Sequence, residues 1–273
     1  MAIRNENTTS YTHPDEPNLV NLHKAMDYNA AGQPIVRVAG SEVFGNINIA
    51  LGNVPGMTQV FKHGFNSSFA NATEESFWDG SVIYPWSAWN STGTLSVVSS
   101  GADTGELTIY GLDTDYNIQQ ETITLTGTSP VTTDNTWARV HEMSYTDGTP
   151  NVGTITATRG ATVISQINIG FGRSQQAQYT VPAGHTAFLF SGQANIGKGQ
   201  DGQGRFKYRL FGQTFQVAIV FLLFESVFEK TFTTPFVLPE KTDLDVTLIA
   251  NNNGTAASCN YDLILVDNSL LPS

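Results

Sequence analysis

The sequence is short of charge. Only 14% of its 273 residues are Asp, Glu, Lys or Arg, against about a quarter in an ordinary soluble domain. Thr, Ser, Asn, Gln and Gly must therefore supply the polar surface. That composition goes with β-rich proteins whose faces are half covered by partners. Positive charge is scarcer still: 13 Lys and Arg stand against 24 Asp and Glu, a net charge of −11. Such a chain repels phosphate backbones and anionic headgroups, which disfavours nucleic acid and membrane as partners.

Cysteine is nearly absent. The single Cys259 excludes an intramolecular disulfide. It lies in "SCNYDLILV", a strand-like run where a free thiol acts as a small apolar group. The chain suits assembly in a reducing cytoplasm. Long apolar runs are missing too. "VAIVFLLF", Val217 to Phe224, is the longest, and a membrane helix needs about 20 residues. It reads as a central strand covered on both faces. The opening "MAIRNENTTSYTHPDEPN" has no apolar core, so no signal peptide is expected.

Helical periodicity is confined to one place. Residues 1–40 are polar, carry Pro14, Pro17 and Pro34, and do not alternate. Within them "NLVNLHKAMDY" spaces Leu19, Leu22 and Met26 three and four residues apart, with Asn18 able to cap the start. A helix that short is marginal alone. Leu19, Leu22, Met26, Ile35 and Val38 are too apolar for a solvated tail. We expect residues 1–40 to be an arm that orders against its own body or another subunit.

The rest reads as strands. "FGNINIALGNV" alternates for a few positions. From Leu95 on, "TLSVVSS", "ELTIYGL", "QQETITLTG", "TWARVHEMSY" and "VGTITATRG" are separated by Gly, Asp, Pro and Asn. After Arg173 the pattern restarts. This spacing is that of an antiparallel sandwich or barrel. The expected class is all-β: a first β-domain over 41–160 and a second, jelly-roll-like sandwich over 161–273.

Few residues suggest chemistry. Asp113, Asp115 and Asn117 sit one residue apart in "GLDTDYNIQQ". An EF-hand loop needs Gly at its sixth place and Glu at its twelfth, and Ile118 and Thr124 stand there instead. Asp and Asn also cap turns through their own backbone, and strand patterns flank the stretch, so a hairpin turn is expected. His13, His23, His63, His141 and His185 lack zinc-site spacing. His141 and Glu142 are neighbours on a strand, so their side chains diverge. No G-x-S-x-G elbow or phosphate loop occurs. Glu74/Glu75 and Glu240/Asp243 read as solvated or capping groups. No catalytic, cofactor or metal residue is assigned, and no enzyme is expected. Trp78, Trp86 and Trp89, with Tyr84, leave three readings open: packing, a sugar-stacking platform or a peptide groove.

Five ordered blocks resemble a recurrent pattern in structural proteins of tailed phages, marine ones especially. "ELTIYGLDTDYNIQQETITLTGTSPVTT" is similar to that family's GLD-x-(N/D)-Y-N turn followed by "ETVTLNGTTPVTT"-like strands. "FKHGFN" with "EESFWDGSVIYPW", then "AQYTVPAGHTAFL", "FVLPEKTDLDVTLIANN" and "YDLILVDN", follow in family order. The likeness spans roughly residues 57 to 268 and departs at His185, where the family more often has Lys. It implies a virion component assembled in the host cytoplasm. The implied partners are other virion proteins, such as a major capsid protein or tail and neck proteins, and further copies of itself. No functional residues carry over. The arm's Leu19, Leu22, Met26, Ile35 and Val38 and the Trp78/Trp86/Trp89 group are the expected partner-binding residues. The expected place is the head exterior, as a decoration or cement protein. A neck or tail adaptor and a host-glycan-binding module are the alternatives.

Overall fold

A computed structural model describes residues 27–28, 34–35 and 42–271. The chain divides into two compact units, 1–48 and 49–273. In the first, β1 (Asp27–Tyr28) pairs antiparallel with β2 (Pro34–Ile35). Asp27 and Tyr28 close the stretch with helical spacing, yet they are strand. Helix α1 (Glu42–Ala50) follows, where the sequence alternates like a strand. Two periods compete there. Ile47 and Ile49 are two apart, but Val43, Ile47 and Ala50 are spaced four and three, and the helical spacing prevails.

The second unit is all-β. Its strands are β3 (Met57–Phe69), β4 (Glu74–Ser76), β5 (Ser96–Ser99), β6 (Glu106–Leu112), β7 (Ile118–Thr124), β8 (Val131–Thr132) and β9 (Arg139–Thr146). Then come β10 (Ile155–Arg159), β11 (Thr162–Ile167), β12 (Tyr179–Thr180), β13 (His185–Ile196), β14 (Asp201–Arg209) and β15 (Gln216–Phe224). The last three are β16 (Val227–Leu238), β17 (Asp243–Ala250) and β18 (Thr255–Asp267). All pairings between these strands are antiparallel.

Four sheets make two sandwiches. One sheet runs β16-β13-β18-β3, and it faces β12-β17-β14-β15, with β4 also on β17. Their shared core holds Phe69, Leu189, Phe206, Phe221, Leu248 and Leu263. The alternate burial of β18 shows why: every second residue points into it. A smaller pair of sheets, β11-β10-β5-β8 and β7-β6-β9, encloses Leu95, Leu107, Ile109, Trp137, Met143 and Ile155.

The smaller sandwich is an insertion. It leaves the larger one after β4 and returns before β12, through a two-strand neck where Trp78 bridges Gln176 and Ala177 donates to the Phe77 carbonyl. A linear boundary at 160 therefore does not describe the pairing. β3 and β4 zip onto β18 and β17, nearly two hundred residues downstream, while β11 stays with β10. Local alternation marks strands but not their partners.

The neck is tight at Gly64 on β3. A side chain there would meet the Phe77 carbonyl oxygen at 2.4 Å and the Ala177 side chain at 2.6 Å. Gly64→Ala should lower unfolding stability by about 3 kcal/mol, as overpacking of a rigid contact does. Ser67→Ala, exposed on the same strand, should change it by less than about 0.5 kcal/mol. Urea denaturation of both variants checks this.

Candidate functional site

The polar residues gather at the seam between insertion and sandwich. β17 determines this. Its sequence alternates, so Leu244, Val246 and Leu248 enter the core while Asp243, Asp245 and Thr247 point to the opposite face. That face is covered, and both aspartates are buried.

Each buried carboxylate is matched by donors. Arg139, from β9 of the insertion, holds both oxygens of Asp243 at 3.0 and 3.2 Å. Arg209, on β14, adds bonds of 2.9 and 2.6 Å, and the Thr180 hydroxyl donates at 2.6 Å. Asp245 accepts from Gln178 at 2.7 Å, from the Trp86 indole at 2.9 Å and from the Ser76 hydroxyl at 3.1 Å. Burial still pushes the Asp245 carboxyl up to about 6, with these donors opposing. Asp79, at the neck, is pushed up by burial to about 7, although the Gln175 amide donates to it.

Cations and rings alternate along this seam. Lys207 lies over Phe215, Arg209 over Phe215 and Trp86, and Arg139 over Trp86 and Tyr116. Lys241 continues it over Tyr116 and Phe211. The centroid distances run from 4.6 to 5.8 Å, within cation–π range. Four of the chain's few cations thus gather here, and Arg205, paired with Glu74, makes a fifth. The ladder joins residues of both sandwiches and orients one on the other.

Two further contacts cross the seam. Lys62 is buried and donates to the His141 carbonyl at 2.6 Å. Burial lowers its ammonium to about 8, with Glu142 opposing. The His141 ring accepts the Thr180 amide at 3.1 Å, and burial holds it well below its usual range. Cys259 is buried, and burial raises its thiol. Lys62, His141, Asp243 and Asp245 are each occupied in structural bonds.

The structure redistributes the residues singled out from sequence. Leu19, Leu22, Met26 and Val38 lie outside the described residues, and Ile35 is described only by its backbone in β2. Trp78 and Trp89 are buried in the insertion core. The Trp89 indole donates to the Tyr84 hydroxyl, which donates to the Ile164 carbonyl. They have no face to offer a sugar or a partner. Trp86 is half-buried, stacked edge-on to Tyr84 at 4.9 Å and engaged by Asp245. The three are packing residues before anything else.

Asp113, Asp115 and Asn117 form the β6–β7 turn. The Asp113 carboxylate accepts the Asp115 and Asn117 amides, each at 2.8 Å, and the Asn117 side chain at 3.1 Å. Burial opposes ionisation, but these donors hold Asp113 below the usual carboxylate range. Glu75 and Asp243 are corrections: both are buried in strands, not solvated in turns. Arg139 and Asp243 were missed as a pair because 104 residues separate them. The alternation of "TDLDVTL" was the available signal, but it does not say which face is covered.

The run Val217 to Phe224 is also a correction. Among the described residues β15 is an edge strand, not a central one. Its outward side chains Val220, Leu222 and Phe224 are more than half exposed.

No protein-family model matches the chain, and no curated protein matches it. Solved structures that it resembles include the infectious bursal disease virus Gt strain, at 8% identity and a TM-score of 0.21 over 80% of this chain and 76% of that one. The Gx strain of the same virus gives 9% identity and a TM-score of 0.19 over 79% and 74%. At these scores neither likeness carries an argument.

The seam has a pH signature. An unfolded aspartate titrates near 3.8, whereas Asp245 titrates at about 6 and Asp79 at about 7 in the fold. The fold therefore holds these protons more tightly. Their contribution to stability is full below 3.8 and is lost as pH rises through 6 to 7. These two carboxyls should lower denaturation midpoints between about pH 4 and pH 7, against the rise up to 6.5 that the depressed His141 contributes. Asp245→Asn should flatten that fall while leaving the fold intact.

Proposed function

We propose that this protein is a structural component of a tailed-phage particle, acting by assembly and not by catalysis. One observation carries the proposal. Numbered one to eight along the chain, β3, β4 and β13 to β18 lie in the order 6-3-8-1 in one sheet and 2-7-4-5 in the other. We read this as a jelly roll, an architecture of viral capsid proteins and also of lectins and cupins. Fold alone does not assign function. The five ordered sequence blocks resembling phage structural proteins supply the second support.

The physical properties agree. A chain with 14% charged residues and one buried cysteine suits a surface that other subunits cover, built without disulfides. The net charge of −11 suits the outside of a DNA-filled shell more than its lining. The preferred place is thus the head exterior, as a decoration or cement protein. Residues 1–40 would lie across neighbouring subunits, with Leu19, Leu22, Met26, Ile35 and Val38 as the contact row. Many weak contacts then add through multivalency.

A neck or tail adaptor would use the same contacts. The glycan-binding reading has less to stand on, because Trp78 and Trp89 are buried.

Deletion of residues 1–40 tests the arm. The truncated protein should keep its β-sheet circular dichroism and fail to load onto particles. Normal loading contradicts the arm's role. Gold-labelled antibody should mark the head of intact particles; labelling at the neck would favour the adaptor.

A further inference from the structure

The larger sandwich holds a void. Among the described residues β15 pairs only with β14 and β16 only with β13, so no backbone bonds join the two sheets on that side. Stacked rings close part of the gap: Phe221 on β15 and Phe228 on β16 lie 4.6 Å apart at an angle of 15°. Beside them is a cavity of about 30 Å³, and the cleft that leads to it brings the empty space to about 390 Å³.

Two small residues account for the space. Gly192 and Ala194 on β13 stand opposite Lys230 and Phe228 of β16, and both line the cavity. A side chain begun at Gly192 would find its nearest heavy atoms 3.8 Å away. Neither a close contact nor the backbone therefore demands a glycine there. A glycine inside a strand leaves room that another molecule can take. The rest of the lining is mostly apolar, with Ile219, Val246 and Phe232 among it. Water needs polar partners to stay in such a space, so the void suits hydrocarbon.

One charge stands at this void. Lys230 falls between Phe228 and Phe232 in the alternation of β16, so its stem shares their inward face. Its ammonium lies 5.5 Å from the Phe232 ring centroid. The residue is exposed, as a lysine is when its stem covers apolar surface and its head stays in water. Among the described residues no carboxylate is within ion-pair distance of it, and Glu229 points to the other face.

We propose that this cleft binds a fatty acid. The alkyl end enters the space beside Gly192 and Ala194, and the carboxylate pairs with Lys230 at the mouth. A cationic amphiphile would meet like charge there. An inward lysine also keeps an edge strand from pairing, but that role needs neither the void nor an anion. The inference rests on the larger sandwich and holds whether or not the protein belongs to a virion.

Isothermal titration calorimetry of the full chain with dodecanoate, kept below its micelle concentration, tests it. Binding should saturate at one molecule per chain. Dodecyltrimethylammonium, which has the same tail, should bind at least about fivefold more weakly. Gly192→Val fills the void and should weaken dodecanoate binding at least about tenfold. Lys230→Met keeps the apolar stem and should bring the two head groups to equal affinity, whereas Lys230→Arg should keep the preference. If Gly192→Val fails to fold, the head groups and the Lys230 variants decide. Absence of saturable dodecanoate binding would overturn the proposal. So would equal affinity for the two head groups in the wild type, a preference that survives Lys230→Met, or undiminished binding by folded Gly192→Val.

Discussion

One carboxylate holds two sandwiches in register. Asp243 is buried on the outer face of β17 and receives Arg139 from the insertion, Arg209 from its own sheet and the Thr180 hydroxyl. Taking such a charge out of water costs several kcal/mol, and only well-formed bonds offset it. Both guanidiniums must therefore stay in place. They in turn lie on Trp86, whose indole holds Asp245. The orientation of the insertion follows from this network more than from apolar area, because each sandwich has a core of its own.

That division separates stability from assembly. The polar groups of the seam are consumed in joining the two sandwiches. Exposed apolar side chains lie elsewhere, among them Val220, Leu222 and Phe224 on β15, Val227 on β16, Ile118 and Val152. The strand Gln216–Phe224 carries no charge. The reading of the protein as a particle component rests on its strand order and on the sequence blocks that resemble phage structural proteins.

Much of the fold was legible in the sequence, because alternation has a local cause. The strands around "ELTIYGL" and "QQETITL" pair as β6 and β7, and the Asp113 turn between them followed from the chemistry of Asp and Asn. The tertiary choices were not legible. "VAIVFLLF" is apolar on both faces, and an apolar run has the same pattern in a covered strand as on an open rim. β3 and β4 look like neighbours of β5, yet they belong with β18 and β17, since an insertion leaves no mark in local periodicity. The aspartates of "TDLDVTL" declared a polar face but not the arginines that cover it. The tryptophans declared packing or recognition, and only their burial decides for packing.

The central claim is that this polypeptide is a repeated building piece of a phage particle. Quantitative mass spectrometry of purified intact particles tests it most directly. The account predicts the chain in stoichiometric amount, on the order of hundreds of copies where it decorates the head lattice. Its absence from particles that infect normally would contradict the account.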